Sequence, residues 1–265
     1  MITLEFDDVQ QWGPRLTDYL SPLVPLTSAA AAIRKEKPEF VEDASEIFFR
    51  VVCPDKAAFN CAVSGWIKEQ VVAAYHGSRL EAPDIAAITE NGLRTLRAEH
   101  RRECLRRKLS LHPQWSEVML DNALEKLGPG RFAGNREGQI HATVSRGGLM
   151  KGFPHYLTHG SEFDQQVAKL LFGGRGMELL ARFGTPVLVK LAVPGEEALA
   201  AANPYWYRSD PQESPNLVRE LIRVWAYWLA SPDLEVGKLE YDCGLIFNLD
   251  IPPGWIDSID KVADR

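Results

Sequence analysis

The amino-acid sequence predicts an α+β fold, and three observations favour it. Residues 1–70 carry amphipathic helical patterns. After residue 70 the texture changes to short segments rich in β-branched and aromatic residues, which Gly and Pro bound. The gaps between these segments vary widely, so the chain lacks the regular strand–helix alternation of a doubly wound parallel sheet. We expect one sheet with flanking helices.

The N-terminal part is predicted to be a helical extension or cap. "TSAAAAIRKEK" and "DASEIFFRVV" have amphipathic helical patterns, and "PDKAAFNCAVSGWIKEQ" has Pro54 at a favourable helix start. We therefore divide the chain into an extension, residues 1–70, and a main domain, residues 71–265.

The main domain is predicted to contain five strands and four helical stretches. The strands are "VVAAYHG" (71–77), "IHATVS" (140–145), "PHYLTHG" (154–160), "TPVLVKLAVPG" (185–195) and "YDCGLIFNLDIPP" (241–253). The helical stretches are residues 84–108, 114–127, 162–183 and 215–230.

Composition limits the class of protein. With 265 residues, of which 45% are hydrophobic, the chain can bury a substantial core, and its net charge of −6 gives no global attraction to nucleic acid or anionic lipid. The start lacks the pattern of a signal peptide and no apolar run approaches the roughly 20 residues that span a bilayer, so we expect a cytoplasmic protein without a membrane partner. The four cysteines form no CxxC pair, so reduced thiols are expected.

The sequence lacks the motifs of several functional classes. The glycines of "LLFGGRGMELL" have the wrong spacing for a dinucleotide-binding GxGxxG, and GxxxxGK[ST] and GxSxG are absent. His155 and His159 have a metal-ligand spacing, but neither HExxH nor a second ligand group accompanies them. We therefore predict no metal site.

Polar side chains gather at the predicted strand ends. They are Tyr75 to Arg79, Ser145 and Arg146, His155 and Tyr156, His159 to Glu162, and Glu240 to Asp242. A sheet can bring such residues to one edge, which predicts a single cleft for a small polar ligand.

These residues carry a resemblance to a known family. "YHGSRL…DIAAITENGL", with Gly92-Leu93 after a predicted helix, resembles the opening of the ADP-ribosyltransferase superfamily in its H-Y-E branch, which includes diphtheria-type toxins and poly(ADP-ribose) polymerases. Tyr156 of "SRGGLMKGFPHYLTHGSEF" would match the tyrosine of the second strand, and "LEYDCGLIFNLDIPPGWIDSI" resembles the closing strand. The resemblance spans roughly residues 71–260. It implies a split antiparallel sheet and NAD as substrate.

The resemblance also implies roles for individual residues. The Gly77 backbone would bind the nicotinamide amide, His76 the ribose hydroxyls, and Tyr156 would stack on the nicotinamide ring. Ser78 belongs to the same NAD-binding motif, and Arg79 and Arg146 would bind the pyrophosphate, since guanidinium forms bidentate contacts with phosphate.

The catalytic acid stays open between three residues. Glu240 is the one glutamate of the closing strand but lies far from the two prolines, Asp242 fits the distance with a different side chain, and Glu162 lies in another element. Glu162 also fits the first turn of a helix that Ser161 caps. We favour Glu162 narrowly. His76 also has a purely structural alternative, an ordinary turn after a buried strand.

The expected activity is the NAD-dependent transfer of ADP-ribose to a macromolecular acceptor, a protein before a nucleic acid. The alternatives are an RNA 2′-phosphotransferase-like enzyme, which needs a more basic cleft, and a catalytically silent binding module. The basic segment 94–108 predicts either an acidic partner or a solvated helix with internal pairs such as Glu103–Arg107.

Overall fold

The computed structural model of the chain describes residues 2–53, 55–127, 137–202, 216–238 and 242–263. These residues form a mixed α+β structure with thirteen α-helices and a six-stranded open sheet. The predicted fold class is confirmed at this level.

The elements follow one another along the chain as helices and strands of uneven length. The strands are β1 (Thr3–Leu4), β2 (Val71–Leu80), β3 (Ile140–Thr143), β4 (Thr185–Pro194), β5 (Gly244–Phe247) and β6 (Ile256–Lys261). The helices are α1 (Val9–Leu20), α2 (Leu26–Glu36), α3 (Val41–Val51), α4 (Lys56–Lys68), α5 (Ala82–Asn91), α6 (Ala98–Leu109), α7 (Glu117–Leu127), α8 (Arg146–Gly152), α9 (Pro154–His159), α10 (Glu162–Phe172), α11 (Gly174–Ala181), α12 (Gly195–Ala202) and α13 (Asn216–Ala230). None of these helices is long and apolar enough to cross a membrane.

The sheet has the strand order β5-β3-β2-β4-β6, so that β2 lies in the middle. β4 and β6 are antiparallel, and their register shifts between Lys190 and Leu191. β1 is parallel to β2, with Thr3 opposite Val71 and Leu4 opposite Val72. The sequence missed β1, because two residues are too few to show a period of two.

The chain divides into two compact units. Unit 1 comprises residues 1–74, 143–151 and 192–245, and unit 2 comprises residues 75–142, 152–191 and 246–265. The predicted extension, residues 1–70, therefore belongs to a unit that also contains two later segments.

Unit 1 is centred on an aromatic cluster between helices. Phe48 of α3, Phe59 of α4 and Trp225 of α13 have ring centroids 4.9 to 5.8 Å apart. The Trp225 indole nitrogen donates to the Thr17 hydroxyl of α1 at 3.0 Å, which satisfies its polar atom inside the core.

Unit 2 has its own core between α6, α7, α10 and α11. Its buried apolar residues are Leu105, Leu109, Leu120, Ala123, Phe163, Val167, Ala168, Leu179 and Leu180. Gly176 of α11 lies against α10 so closely that a Cβ there would be 2.2 Å from the Ala168 carbonyl oxygen. The absence of a side chain at Gly176 therefore permits the close packing of these two helices.

The structure differs from the prediction in several elements. The segment 154–160, predicted as a strand, is helix α9: Pro154 takes the first helical position and Gly160 ends the helix at φ +81°. Strand β2 continues to Leu80, so His76 lies inside the strand and not at its end. The predicted helix 84–108 is interrupted after Asn91, and the predicted strand 241–253 is limited to β5.

In unit 2, helix α5 ends at Gly92, where the backbone lies very close to another segment of the chain. Gly92 ends α5 at φ +80°, and Leu93 pairs with Ile251 through two backbone hydrogen bonds. A Cβ at Gly92 would lie 1.9 Å from the Ile251 carbonyl oxygen. Only glycine combines this conformation with this close approach.

We expect Gly92→Ala to lower the free energy of unfolding by about 2 to 4 kcal/mol, because the new methyl group meets backbone atoms in a strained conformation. Gly152→Ala is the matched control, since a Cβ at Gly152 meets no atom within 4 Å. Urea unfolding followed by circular dichroism measures both. Equal stabilities of the two variants would contradict the assigned constraint.

Candidate functional site

His76 lies on β2 and is oriented by the neighbouring strand β3. Its Nδ1 lies 2.8 Å from the carbonyl oxygen of His141. Because a carbonyl only accepts, Nδ1 must carry the proton in the neutral ring, and Nε2 is then the acceptor. Burial lowers the pKa of His76, and the hydrogen bond to His141 opposes this only partly. His76 is therefore a neutral, oriented hydrogen-bond acceptor at pH 7.

The residues after His76 alternate between the two faces of the sheet. Gly77 and Arg79 are buried, and Ser78 is half-buried like His76. Arg79 donates from Nε to the Phe183 carbonyl at 2.9 Å and from Nη1 to the Leu157 carbonyl at 3.4 Å. The bond to Leu157 attaches α9 to β2, and the bond to Phe183 attaches the segment after α11. Because its guanidinium holds these carbonyls, Arg79 is not among the phosphate ligands that we propose.

His141 is a residue of this region that the sequence analysis missed. Its half-buried ring contacts Gln139 Oε1 through Nε2 at 3.1 Å, and Gln139 donates to Asn248 at 3.3 Å. The sequence contained a signal for His141, because "IHATVS" has a histidine within a predicted strand. This segment was identified as a strand, and its histidine was not considered as a site residue. A histidine on the strand next to His76 is a second candidate for ligand contact.

Tyr156 and Glu162 form a pair in the helical part of unit 2. The Tyr156 hydroxyl donates to Glu162 Oε1 at 2.7 Å. His155 Nε2 lies 3.5 Å from the same oxygen, and the His155 and Tyr156 rings are 4.3 Å apart. Of the predicted catalytic residues, the structure thus brings Tyr156 and Glu162 into direct contact. The hydrogen bond of His76 joins it to a different residue, His141 of β3.

Glu162 owes its position to the start of α10. The Ser161 hydroxyl accepts from the Asp164 backbone N–H at 3.2 Å, as predicted for an N-cap. The Asp164 side chain is fully buried and accepts from Arg101 Nε at 2.9 Å. Burial alone would raise the pKa of Asp164, but Arg101 and Lys108 outweigh it and hold the pKa below its ordinary value. Glu162 therefore projects from a fixed helix end.

The other two candidate acids have separate outcomes. Glu240 lies outside the described residues. Asp242 lies in unit 1, where its Oδ1 accepts backbone N–H groups from Ser145 at 3.0 Å and from Cys243 at 2.7 Å. In the structure Asp242 therefore holds the backbone at the start of α8. Arg146, the predicted pyrophosphate ligand, is exposed in this same helix.

The cations of the basic helix α6 are paired with acids of the same unit. Five of its cations form ion pairs: Arg101 and Lys108 with Asp164, Arg102 with Asp121, Arg106 with Glu103, and Arg107 with Glu81. The expected Glu103–Arg107 pair is replaced by Glu103–Arg106, at 2.8 Å. These pairs account for much of the basic charge without an acidic partner.

Comparison of the chain with protein-family models, with curated proteins and with solved structures finds no match. Within the described parts of the chain, no three His, Cys, Asp or Glu side chains are grouped so that they could hold a metal ion. The assignment of a function therefore depends on the chemistry of the site residues.

Asp242 makes the stability of unit 1 depend on pH. Burial raises its pKa from 3.8 to about 7; the bonds from Ser145 and Cys243 oppose the rise, and Asp7 adds to it. Because the folded-state pKa is raised, this group's contribution to stability is full below pH 3.8 and is lost as the pH rises through 7.

The Asp242→Asn variant cannot ionise at this position but keeps an acceptor oxygen. When the pH rises from 5 to 8, we expect the free energy of unfolding of the wild type to fall by about 2 kcal/mol relative to that of Asp242→Asn. Urea unfolding at the two pH values measures the gain. Asp18→Asn, at an exposed position of α1, is the control and should show no such gain. A constant difference between Asp242→Asn and wild type would refute the titration.

Proposed function

We propose that the chain uses NAD as a substrate, transfers its ADP-ribose group to a macromolecular acceptor and releases nicotinamide. The observation that carries this proposal is the orientation of His76 inside the "YHGSRL" segment. A neutral imidazole whose Nδ1–H is occupied by a carbonyl offers Nε2 to hydroxyl donors such as those of a ribose. Gly77 follows on the strand, without a side chain to block close approach of a ligand to its backbone.

The bond that breaks joins C1′ of the ribose to the nicotinamide nitrogen. Nicotinamide leaves with the electron pair of this bond and becomes neutral, and C1′ acquires the positive charge of an oxocarbenium ion. The acceptor then forms a new bond to C1′ and loses a proton. No oxidant, reductant or metal ion is needed for this step.

Glu162 is the carboxylate that we assign to this reaction. A negative charge near C1′ stabilises the oxocarbenium ion, and the same carboxylate can take the acceptor's proton. The Tyr156 hydrogen bond, at 2.7 Å, fixes the orientation of the carboxylate. Tyr156 therefore acts in this proposal through Glu162, in addition to the ring stacking that the family resemblance implies.

The ADP-ribosyltransferase type of sheet belongs to the same proposal. In its support, β2 with His76 lies in the middle of an open sheet, and helix α5 follows β2 and ends at Gly92-Leu93. The RNA 2′-phosphotransferase alternative receives less support, because Arg79 is bonded to backbone carbonyls and most cations of α6 are paired. Measurements of NAD binding and of nicotinamide release distinguish the binding-module alternative from the enzyme.

We expect purified protein incubated with NAD to release nicotinamide, which chromatography detects, and NAD to raise the melting temperature, since a ligand that binds the native state stabilises it. His76→Ala should weaken NAD binding by about 1 kcal/mol, the contribution of one neutral hydrogen bond. His100→Ala, at an exposed position of α6, is the control and should bind NAD like the wild type. Absence of both release and thermal shift would reject the proposal.

We expect Glu162→Gln to lower the rate of nicotinamide release about 100-fold or more while NAD affinity changes by less than about threefold, because the charge acts on the transition state. Glu240→Gln and Asp242→Asn are compared in the same assay. If Glu162→Gln keeps full turnover and Glu240→Gln abolishes it, the catalytic acid lies in the closing segment. If NAD binds to the wild type and no nicotinamide is released, the binding module replaces the enzyme.

A further inference from the structure

Three rings and one carboxylate form a cluster around the start of α9. The cluster consists of Phe153, His155, Tyr156 and Glu162. The Phe153 ring centroid lies 6.3 Å from those of His155 and Tyr156, and the latter two rings are 4.3 Å apart. The Glu162 carboxylate contacts Tyr156 and His155. We call these four residues the ring–carboxylate cluster.

The cluster is accessible from solvent. The exposed fraction is 44% for Phe153, and 38% and 28% for the side chains of His155 and Glu162. All four residues lie in unit 2, between the end of α8 and the start of α10. A large aromatic side chain is thus exposed near two rings that contact a carboxylate, all in one short stretch of chain.

Aromatic rings beside a carboxylate suit a planar cation. The faces of phenylalanine and tyrosine rings carry partial negative charge and attract cations, and a carboxylate attracts cations as well. A guanidinium is flat, stacks on rings, is weakly hydrated and donates several N–H groups to a carboxylate. A quaternary ammonium lacks such donors, and a lysine ammonium is compact and strongly hydrated.

We propose that the ring–carboxylate cluster binds the guanidinium of an arginine side chain on a partner protein. The role of this arginine as the acceptor of ADP-ribose rests on the function proposed above. In that reaction one guanidinium nitrogen forms a bond to C1′ as nicotinamide leaves with its electron pair. The proton lost from this nitrogen passes to Glu162, so that the product keeps a single positive charge on the guanidinium group.

The binding test needs no NAD. N-acetylarginine amide is titrated into the full chain, and binding is followed by nuclear magnetic resonance shifts of residues 153–162. We expect saturable binding, and at least about tenfold weaker binding of N-acetylcitrulline amide, which has a similar shape without the charge. N-acetyllysine amide with a free ε-amino group should also bind more weakly than the arginine compound.

Two variants and one control locate the binding. Phe153→Leu should weaken arginine binding about threefold to fivefold, and Glu162→Gln about tenfold, through loss of the cation–π contact and of the charge-assisted hydrogen bonds. Phe40→Leu, which alters another exposed phenylalanine, should leave the affinity unchanged. The inference is overturned if citrulline and arginine compounds bind equally, if neither binds, or if Phe40→Leu weakens binding as much as Phe153→Leu.

The two proposals fail in different ways. Arginine binding without nicotinamide release from NAD would keep the guanidinium site and reject the transferase. Nicotinamide release without arginine binding would keep NAD use and reject the guanidinium site. If both occur, mass spectrometry of the arginine compound after incubation with NAD should show the added mass of ADP-ribose, and an unmodified compound would reject arginine as acceptor.

Discussion

The pairing of the buried Asp164 carboxylate with Arg101 and Lys108 is the interaction on which unit 2 depends. Asp164 has no exposed surface and lies in the apolar core, where an unpaired charge would be very costly. Arg101 and Lys108 of α6 compensate this charge, and Ser161 fixes the backbone in front of it. Loss of one member of such a buried pair commonly costs about 3 to 5 kcal/mol. The pair thereby attaches α6 to the helix whose first residue is Glu162.

This arrangement changes the meaning of the basic segment. In the sequence, residues 94–108 are a concentration of positive charge in an acidic protein. In the structure, the cations of α6 pair with Asp121 of α7, with Asp164 of α10 and with Glu81, the residue before α5, which lie up to 63 positions away in the chain. No local pattern could indicate that pairing, because it depends on which helices pack together. The sequence did predict Ser161 as a helix cap, because that signal is local.

The same distinction separates the correct and incorrect parts of the secondary-structure prediction. β2 and β4 were identified because their apolar runs are long and rich in valine. "PHYLTHG" was interpreted as a strand because Pro and Gly bound it, although Pro at a start and Gly after an end are also helix signals. At the candidate site, the identity of His76 could be predicted, but its orientation by the His141 carbonyl could not. That contact depends on strand register, which is a tertiary property.

The discontinuity of unit 1 has a consequence for biosynthesis. Phe48 and Phe59 leave the ribosome early, whereas Trp225, which packs against both, follows more than 160 residues later. At translation rates of about 5 to 20 residues per second, the nascent helices wait on the order of ten to thirty seconds for α13. During this interval their apolar faces are open to association with other chains. A nascent chain of this kind is a natural client for chaperones, and slow synthesis would prolong its exposure.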